Sequence, residues 1–265
     1  DKYDPYENQF KINKDISKYI DNQAPRIRGF SKTSQNEVIV ATRHNGLFIS
    51  DHGDFVPLLN KNYDIASIYS HDGILFYCGL WNGKILVYNH LNKQSKIIDV
   101  GFKKSPIFSF VEFKDQLVVC TFGEGALLLN KHPFKPSVHL LPGIDINKVT
   151  MDTNQNLWFA TETGVVRYSV ENRESIHYNE NVETKNGLPH ANVSDVIIDS
   201  RGLIWAATRE GLAVFDSKIK TFKTISEPKE LNGKWVTDIV EDASGYLWLN
   251  MNNNNIARYD VDKHI

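Results

Sequence analysis

The chain has little of what a disulfide-stapled, membrane-spanning or nucleic-acid-binding protein needs. Its 265 residues include two cysteines, two methionines and nine prolines. Two thiols cannot build a disulfide framework. Cys78 and Cys120 stand far from any C-x-x-C spacing, and the nine histidines show no H-x-x-x-H pair, so no metal ligand set is legible. No apolar run is long enough to cross a bilayer as a helix. Lysine and arginine number 30 against 32 acidic residues, a net charge of −2, so no basic excess argues for direct nucleic-acid contact. A nucleophile elbow and a glycine-rich phosphate loop are missing. "DTNQN" at 152–156 has the start of a calcium loop without its downstream glutamate. The opening "DKYDPYENQF" holds neither an initiator methionine nor a signal peptide, and is expected to be the edge of a segment from a larger protein.

Strand pattern and repetition are abundant instead. "NGLPHANVSDVIIDSRGLIWAATREGLAVFD", from Asn186 to Asp216, contains the core D-x-x-G-x-x-W-x-x-T-x-x-G: Asp199, Gly202, Trp205, Thr208 and Gly211. Asp152, Gln155, Trp158, Thr161 and Gly164 repeat the spacing upstream, and Asp242, Gly245, Trp248 and Met251 repeat it downstream. Weaker copies align Thr42 with Gly46, Gly79 with Gly83, and Thr121 with Gly125. The threonine-equivalent positions 42, 79, 121, 161, 208 and 251 are separated by 37, 42, 40, 47 and 43 residues. A strand-built period in the low forties is the signature of propeller blades. The expected fold is all-β: a β-propeller of four-stranded antiparallel blades, six in number with seven as the alternative. As a single domain over 1–265, its blades fall at about 28–62, 63–104, 105–143, 144–191, 192–234 and 235–265.

Blade five reads as strand a "VSDVIID", strand b "LIWAAT", strand c "LAVFD" and strand d "KTFKTIS". "DSRG" is the a–b turn and "REG" the b–c turn. Trp158, Trp205 and Trp248 share one register and are expected to pack between sheets. The matching Asp152, Asp199 and Asp242 read as turn formers, and Asp199→Ala is expected to cost about 1 kcal/mol as a turn change. Cys78 and Cys120 occupy a slot that holds Ala41, Ala160 and Ala207 in other repeats, so they read as buried structural thiols. The last repeat stops after strand c, and residues 6–20 resemble a strand d. Phe10–Ile16 is therefore expected to pair with Ile256–Asp260 and close the ring, leaving no unpaired edge. A slice from a longer tandem array, with residues 1–5 a leftover strand c, fits the same residues.

The pattern of Asn186–Asp216 resembles the two-component regulator propeller repeat, whose marks are NGLPxNxV, then D-x-x-G-x-[LI]-W-x-[AG]-T, then GL and an aromatic-Asp end. Repeats four to six carry it best. Repeats one to three keep the outline. The resemblance spans about residues 28–260. It implies the extracytoplasmic, periplasmic-side sensor region of a bacterial hybrid histidine kinase or diguanylate cyclase. It also implies a ligand that is in many members a carbohydrate product, and membrane attachment only through segments outside this chain. No cofactor is implied.

In an antiparallel blade the b–c turns and d–a connectors emerge at one end, here expected to be the rim of a central channel. The candidate ligand-binding residues at that end are His44, Trp81, Phe122, Glu124, Glu162, Arg209 and Glu210 from turns, with His190 and Trp235 from connectors. Aromatic faces beside charged groups suit a small polar ligand such as an oligosaccharide, or a protein partner such as a second propeller or a dimer mate. Lys148, Asp195 and Asp238 share one register of the inner strands and read as a satisfied polar network before an ion or catalytic site. The leading function is a non-catalytic sensor module. The alternatives are a six-bladed lactonase- or lyase-like enzyme, which needs more inward ligands than these two acids and a lysine, and an interaction platform for receptor assembly.

Overall fold

The computed structural model describes residues 2–4, 9–11, 26–51, 54–59, 63–180, 187–253 and 255–263. Six successive antiparallel sheets follow one another along the chain as the blades of a β-propeller. Among the described residues there is no α-helix, only a 3-10 turn at Lys229–Leu231. Among the described residues, five of these sheets have four strands and the sixth has three. In blade five the strands are Val193–Ile198, Ile204–Thr208, Gly211–Asp216 and Thr221–Thr224, in the order a-b-c-d read from sequence.

The chain forms two compact units, residues 1–108 and 109–265. The first holds blades one (Ile27–Leu59) and two (Ile65–Asp99) around a core that includes Ile39, Leu47, Phe76, Cys78 and Tyr88. The second holds blades three to six, with clusters around Phe159, Trp158 and Trp205. Cys78 and Cys120 are free and fully buried, and burial pushes the Cys78 thiol up to about 12. They are inert packing groups.

The repeat motif has two hydrogen-bonding devices. At the a–b turns, Trp158, Trp205 and Trp248 donate their indole N–H to Oδ2 of Asp152, Asp199 and Asp242 at 2.9, 3.0 and 2.8 Å. The other oxygen of each aspartate accepts backbone N–H groups of its own turn. The aspartates are thus more than turn formers: each also satisfies the one polar atom of a large core side chain. At the b–c turns, the hydroxyls of Thr42, Thr121, Thr161 and Thr208 donate to the carbonyls of Gly46, Gly125, Gly164 and Gly211 at 2.8–3.0 Å. Blade two has Gly79 here because a Cβ would stand 2.2 Å from the carbonyl oxygen of Ile107.

At the chain's start, Lys2–Asp4 pairs with Gln9–Lys11 as a two-stranded sheet, with Tyr3 opposite Phe10. Described strand c of blade six, Ile256–Tyr259, pairs with strand b alone. The described part of the expected closing strand thus finds its partner locally, as a c–d hairpin does. Residues 12–16 of that strand lie outside the described residues.

Candidate functional site

Strand a carries a β-bulge at its start in blades one, two, four, five and six, between Ile27 and Gly29, Ile65 and Ser67, Ile146 and Lys148, Val193 and Asp195, and Val236 and Asp238. A bulge re-aims one side chain. The re-aimed residues Arg28, Asn147 and Ser194 each reach a turn or connector side chain at the b–c end. The first residue of the b–c turn is also tied to the connector of its own blade: the N–H groups of Arg43, Trp81, Glu162, Arg209 and Asn252 donate to the carbonyls of Arg26, Asp64, Asp145, Asn192 and Trp235 at 2.9–3.3 Å. These bonds fix where the predicted site residues stand.

In the first unit, the Arg43 guanidinium lies 4.4 Å and that of Arg28 5.5 Å from the Trp81 ring centre, and Phe108 meets the ring edge-on at 5.8 Å. The indole nitrogen of Trp81 is buried and has no hydrogen-bond partner among the described residues. Burial lowers the Arg28 pKa, helped by Arg43 and Arg26. Asp64 counters this charge, 3.2 Å from Arg43 and 3.6 Å from His44.

In the second unit, Glu162 accepts from the side-chain amides of Asn147 at 3.0 Å and Asn192. The Asn192 backbone N–H donates to Nδ1 of His190 at 2.9 Å. The Arg209 guanidinium stands 4.8 Å from the Trp235 ring centre, and the Trp235 indole donates to Ser194 Oγ at 2.9 Å. Glu162, His190 and Arg209 are therefore linked through Asn192, and Trp235 joins them through the Arg209 guanidinium. Glu210 is held by its backbone: its N–H donates to the Thr208 hydroxyl and its carbonyl accepts from Gly233. Glu124 is placed the same way, by Thr121 and by His139 Nε2 at its carbonyl, while Phe122 is 40% exposed.

Beneath this end, Asp195 is buried. It accepts the N–H of Ile239 on the next blade at 2.9 Å and that of Val196 at 2.8 Å. Lys148 Nζ is 3.8 Å away. Burial pushes the Asp195 carboxyl up to about 7 despite the opposing pull of Lys148. Ser67 and Ser109 make related interblade bonds at the same register, to the Ile107 carbonyl and from the Val149 N–H. This register is a stitching position, as a polar network requires.

The bulge residues Arg28, Asn147 and Ser194, and Phe108 at the matching place in blade three, were absent from the residues expected at this site. Only their place, one residue before the register shared by Lys148 and Asp195, signals them in the sequence.

No protein-family model matches the sequence, and no curated protein matches it. Solved structures do. The extracellular domain assigned to the one-component system BT4673 of B. thetaiotaomicron superposes with a TM-score of 0.77 at 18% identity, over 92% of this chain and 33% of that one. The chain has the same fold. The extracellular domain assigned to the hybrid two-component system BT3049 of that organism gives 0.75 at 17% identity, over 90% of this chain and 34% of its own. The chain thus spans about a third of the length of these receptor domains. Virginiamycin B lyase from Staphylococcus aureus gives 0.69 at 12% identity, over 91% of this chain and 86% of the lyase.

Proposed function

We propose that this chain is a ligand-sensing propeller segment from the extracytoplasmic part of a membrane-bound bacterial signalling receptor. On this reading it binds a small polar ligand, an oligosaccharide foremost, without chemical turnover. The observation that carries the reading is the Arg209–Trp235–Ser194 arrangement. A connector indole is locked by a hydrogen bond and backed by a guanidinium, whose own backbone is tied to the Asn192 that holds the Glu162 carboxylate. A fixed aromatic face next to oriented polar groups is what a sugar ring needs, one face stacking and its hydroxyls hydrogen-bonding. In the first unit, Trp81 with Arg28 and Arg43 repeats the chemistry. The receptor context rests on the BT4673 and BT3049 domains, and the same rim also suits receptor assembly.

A glycan array followed by calorimetry tests this. Trp235→Ala and Trp81→Ala should each weaken binding by about 1–3 kcal/mol, as buried aromatic anchors do, with melting little changed. Lys218→Ala, in a c–d turn at the opposite end of its blade, should leave binding intact. Equal losses in all three variants, or no glycan bound, would overturn the reading. A second reading, a lyase-like enzyme, draws on the likeness to virginiamycin B lyase and on the raised carboxyl of Asp195 beside Lys148. Asp195 already spends both oxygens on backbone N–H groups, which favours the sensor.

A further inference from the structure

At the a–b end of the second unit a groove of about 500 Å³ opens between blades four and five. Its lining includes Trp158, Tyr178, Phe215, Ile176, Arg167 and Lys220. The aromatic rings form one cluster: Trp158 stacks on Tyr178 at 5.8 Å and meets Phe215 edge-on at 5.0 Å. Ile176 and Leu203 stand 50% and 36% exposed at the groove. The volume suits a small ligand.

The next groove along, between blades five and six, shows why this one is open. There Arg201 of the a–b turn lies across the gap. Its guanidinium donates to the Gly245 carbonyl at 3.0 Å and stands 3.8 Å from Glu241 and 3.9 Å from Asp262. A Cβ on Gly245 would meet it at 3.5 Å. Counting from the repeat aspartate, the residue matching Arg201 in blade four is Asn154, too short to cross. Gly202, the match of Gly245, has nothing within 4 Å of where its Cβ would be. The matches of Glu241 and Asp262 are Ile198 and Lys218, so the carboxylates have gone as well.

Cations nevertheless line the open groove. Arg167, in the place of Val214 and 5.7 Å from the Trp158 ring centre, has a buried Nε without a hydrogen-bond partner among the described residues. Its charge bears on the Tyr178 hydroxyl, whose pKa burial raises and Arg167 partly restores. Among the described residues neither Arg167 nor Lys220 makes an ion pair. The one acid in the lining, Asp152, is committed to the Trp158 indole and to Asn156. Two cations against one acid leave the lining with a surplus positive charge.

We propose that this groove binds a small aromatic carboxylate, its ring against Ile176, Leu203 and the half-buried Phe215, over the buried Trp158 and Tyr178, and its carboxylate facing Arg167 and Lys220. Charge-assisted bonds to such cations are the strong ones, and the aromatic wall supplies the apolar contact. This site is separate from the b–c end and does not depend on the sensor reading.

The probe is 3-phenylpropionate, titrated into the whole chain while the Trp158 indole N–H is followed by NMR, with 3-phenylpropionamide as the uncharged comparator. Saturable binding of the acid is expected, with the amide weaker by about tenfold or more, the scale of one lost charged contact. Arg167→Met should lower affinity by about tenfold and the exposed Lys220→Gln by about threefold. Asn154→Arg, which restores the crossing side chain, should abolish binding while the chain stays folded. Equal binding of acid and amide, unchanged affinity in Lys220→Gln and Asn154→Arg, or no saturation by about 10 mM, an affinity too weak to signify a built site, would overturn the proposal.

Discussion

The two grooves of the second unit differ by a few side chains in a shared repeat. Between blades five and six a turn arginine fills the gap and its charge is neutralised by Asp199, Glu241 and Asp262. Between blades four and five the turn residue is Asn154, the charge has moved to Arg167 on strand c, and a cavity remains. Both grooves keep the same buried indole and its aspartate. A repeat therefore fixes the frame by its shared residues, while the positions free to vary decide whether the space between blades is filled or left open.

The largest effects should come from the shared frame. Trp205→Ala is expected to cost about 3–5 kcal/mol in urea unfolding, as core truncations do. Trp158→Ala should match or exceed it, because Trp158 contacts Tyr178, Phe215 and Phe222 where Trp205 contacts Tyr259. A Trp158 variant that unfolds no more easily than wild type would break the equivalence of the two grooves. Next comes Asp199→Ala at about 2–3 kcal/mol, the loss of a buried acceptor rather than of a turn residue alone. It would strand the Trp205 indole as well as the turn N–H groups.

A smaller effect separates the grooves themselves. Arg201→Ala should cost about 1 kcal/mol, since its pairs are partly exposed and screened, whereas Arg167→Met should change stability by less than that. Comparing urea midpoints of the two variants sharpens the contrast. Equal costs would mean that Arg167 has a structural duty its contacts do not show.

A further effect is on pH dependence. Burial raises the folded Asp195 pKa to about 7 from an ordinary 3.8. The folded chain then keeps a proton that the unfolded chain releases. The stability this gives is complete below about pH 4 and is lost as pH climbs through about 7. Asp195→Asn removes that titration, so melting temperatures measured at pH 5 and pH 7.5 should differ by a few degrees less than in wild type. An unchanged difference would show that Asp195 stays ionised against Lys148 throughout.

Much of the blade is legible in the sequence. Asp199, Gly202, Trp205, Thr208 and Gly211 act through bonds within one blade, a few residues apart. Spacing alone therefore predicts the strand order, the turns and the buried slot of Cys78 and Cys120. The b–c end was half legible. His44, Trp81, Glu162 and Arg209 follow from turn positions and Trp235 from a connector. Arg28, Asn147 and Ser194 do not, because a bulge breaks the alternation of strand a and sends an inner-strand side chain to the turns.

What the sequence by itself determined is the local hydrogen bonding of each repeat: Asp to Trp, Thr to Gly, strand to strand. Only the tertiary structure decided which residues of neighbouring blades meet, because those contacts join positions about forty residues apart: Asp195 with Ile239, Ser194 with Trp235, Arg201 with Gly245. Nothing in the periodicity distinguishes an arginine that crosses to the next blade from an asparagine that leaves a groove. That outcome depends on side-chain reach and on the charges waiting on the other side.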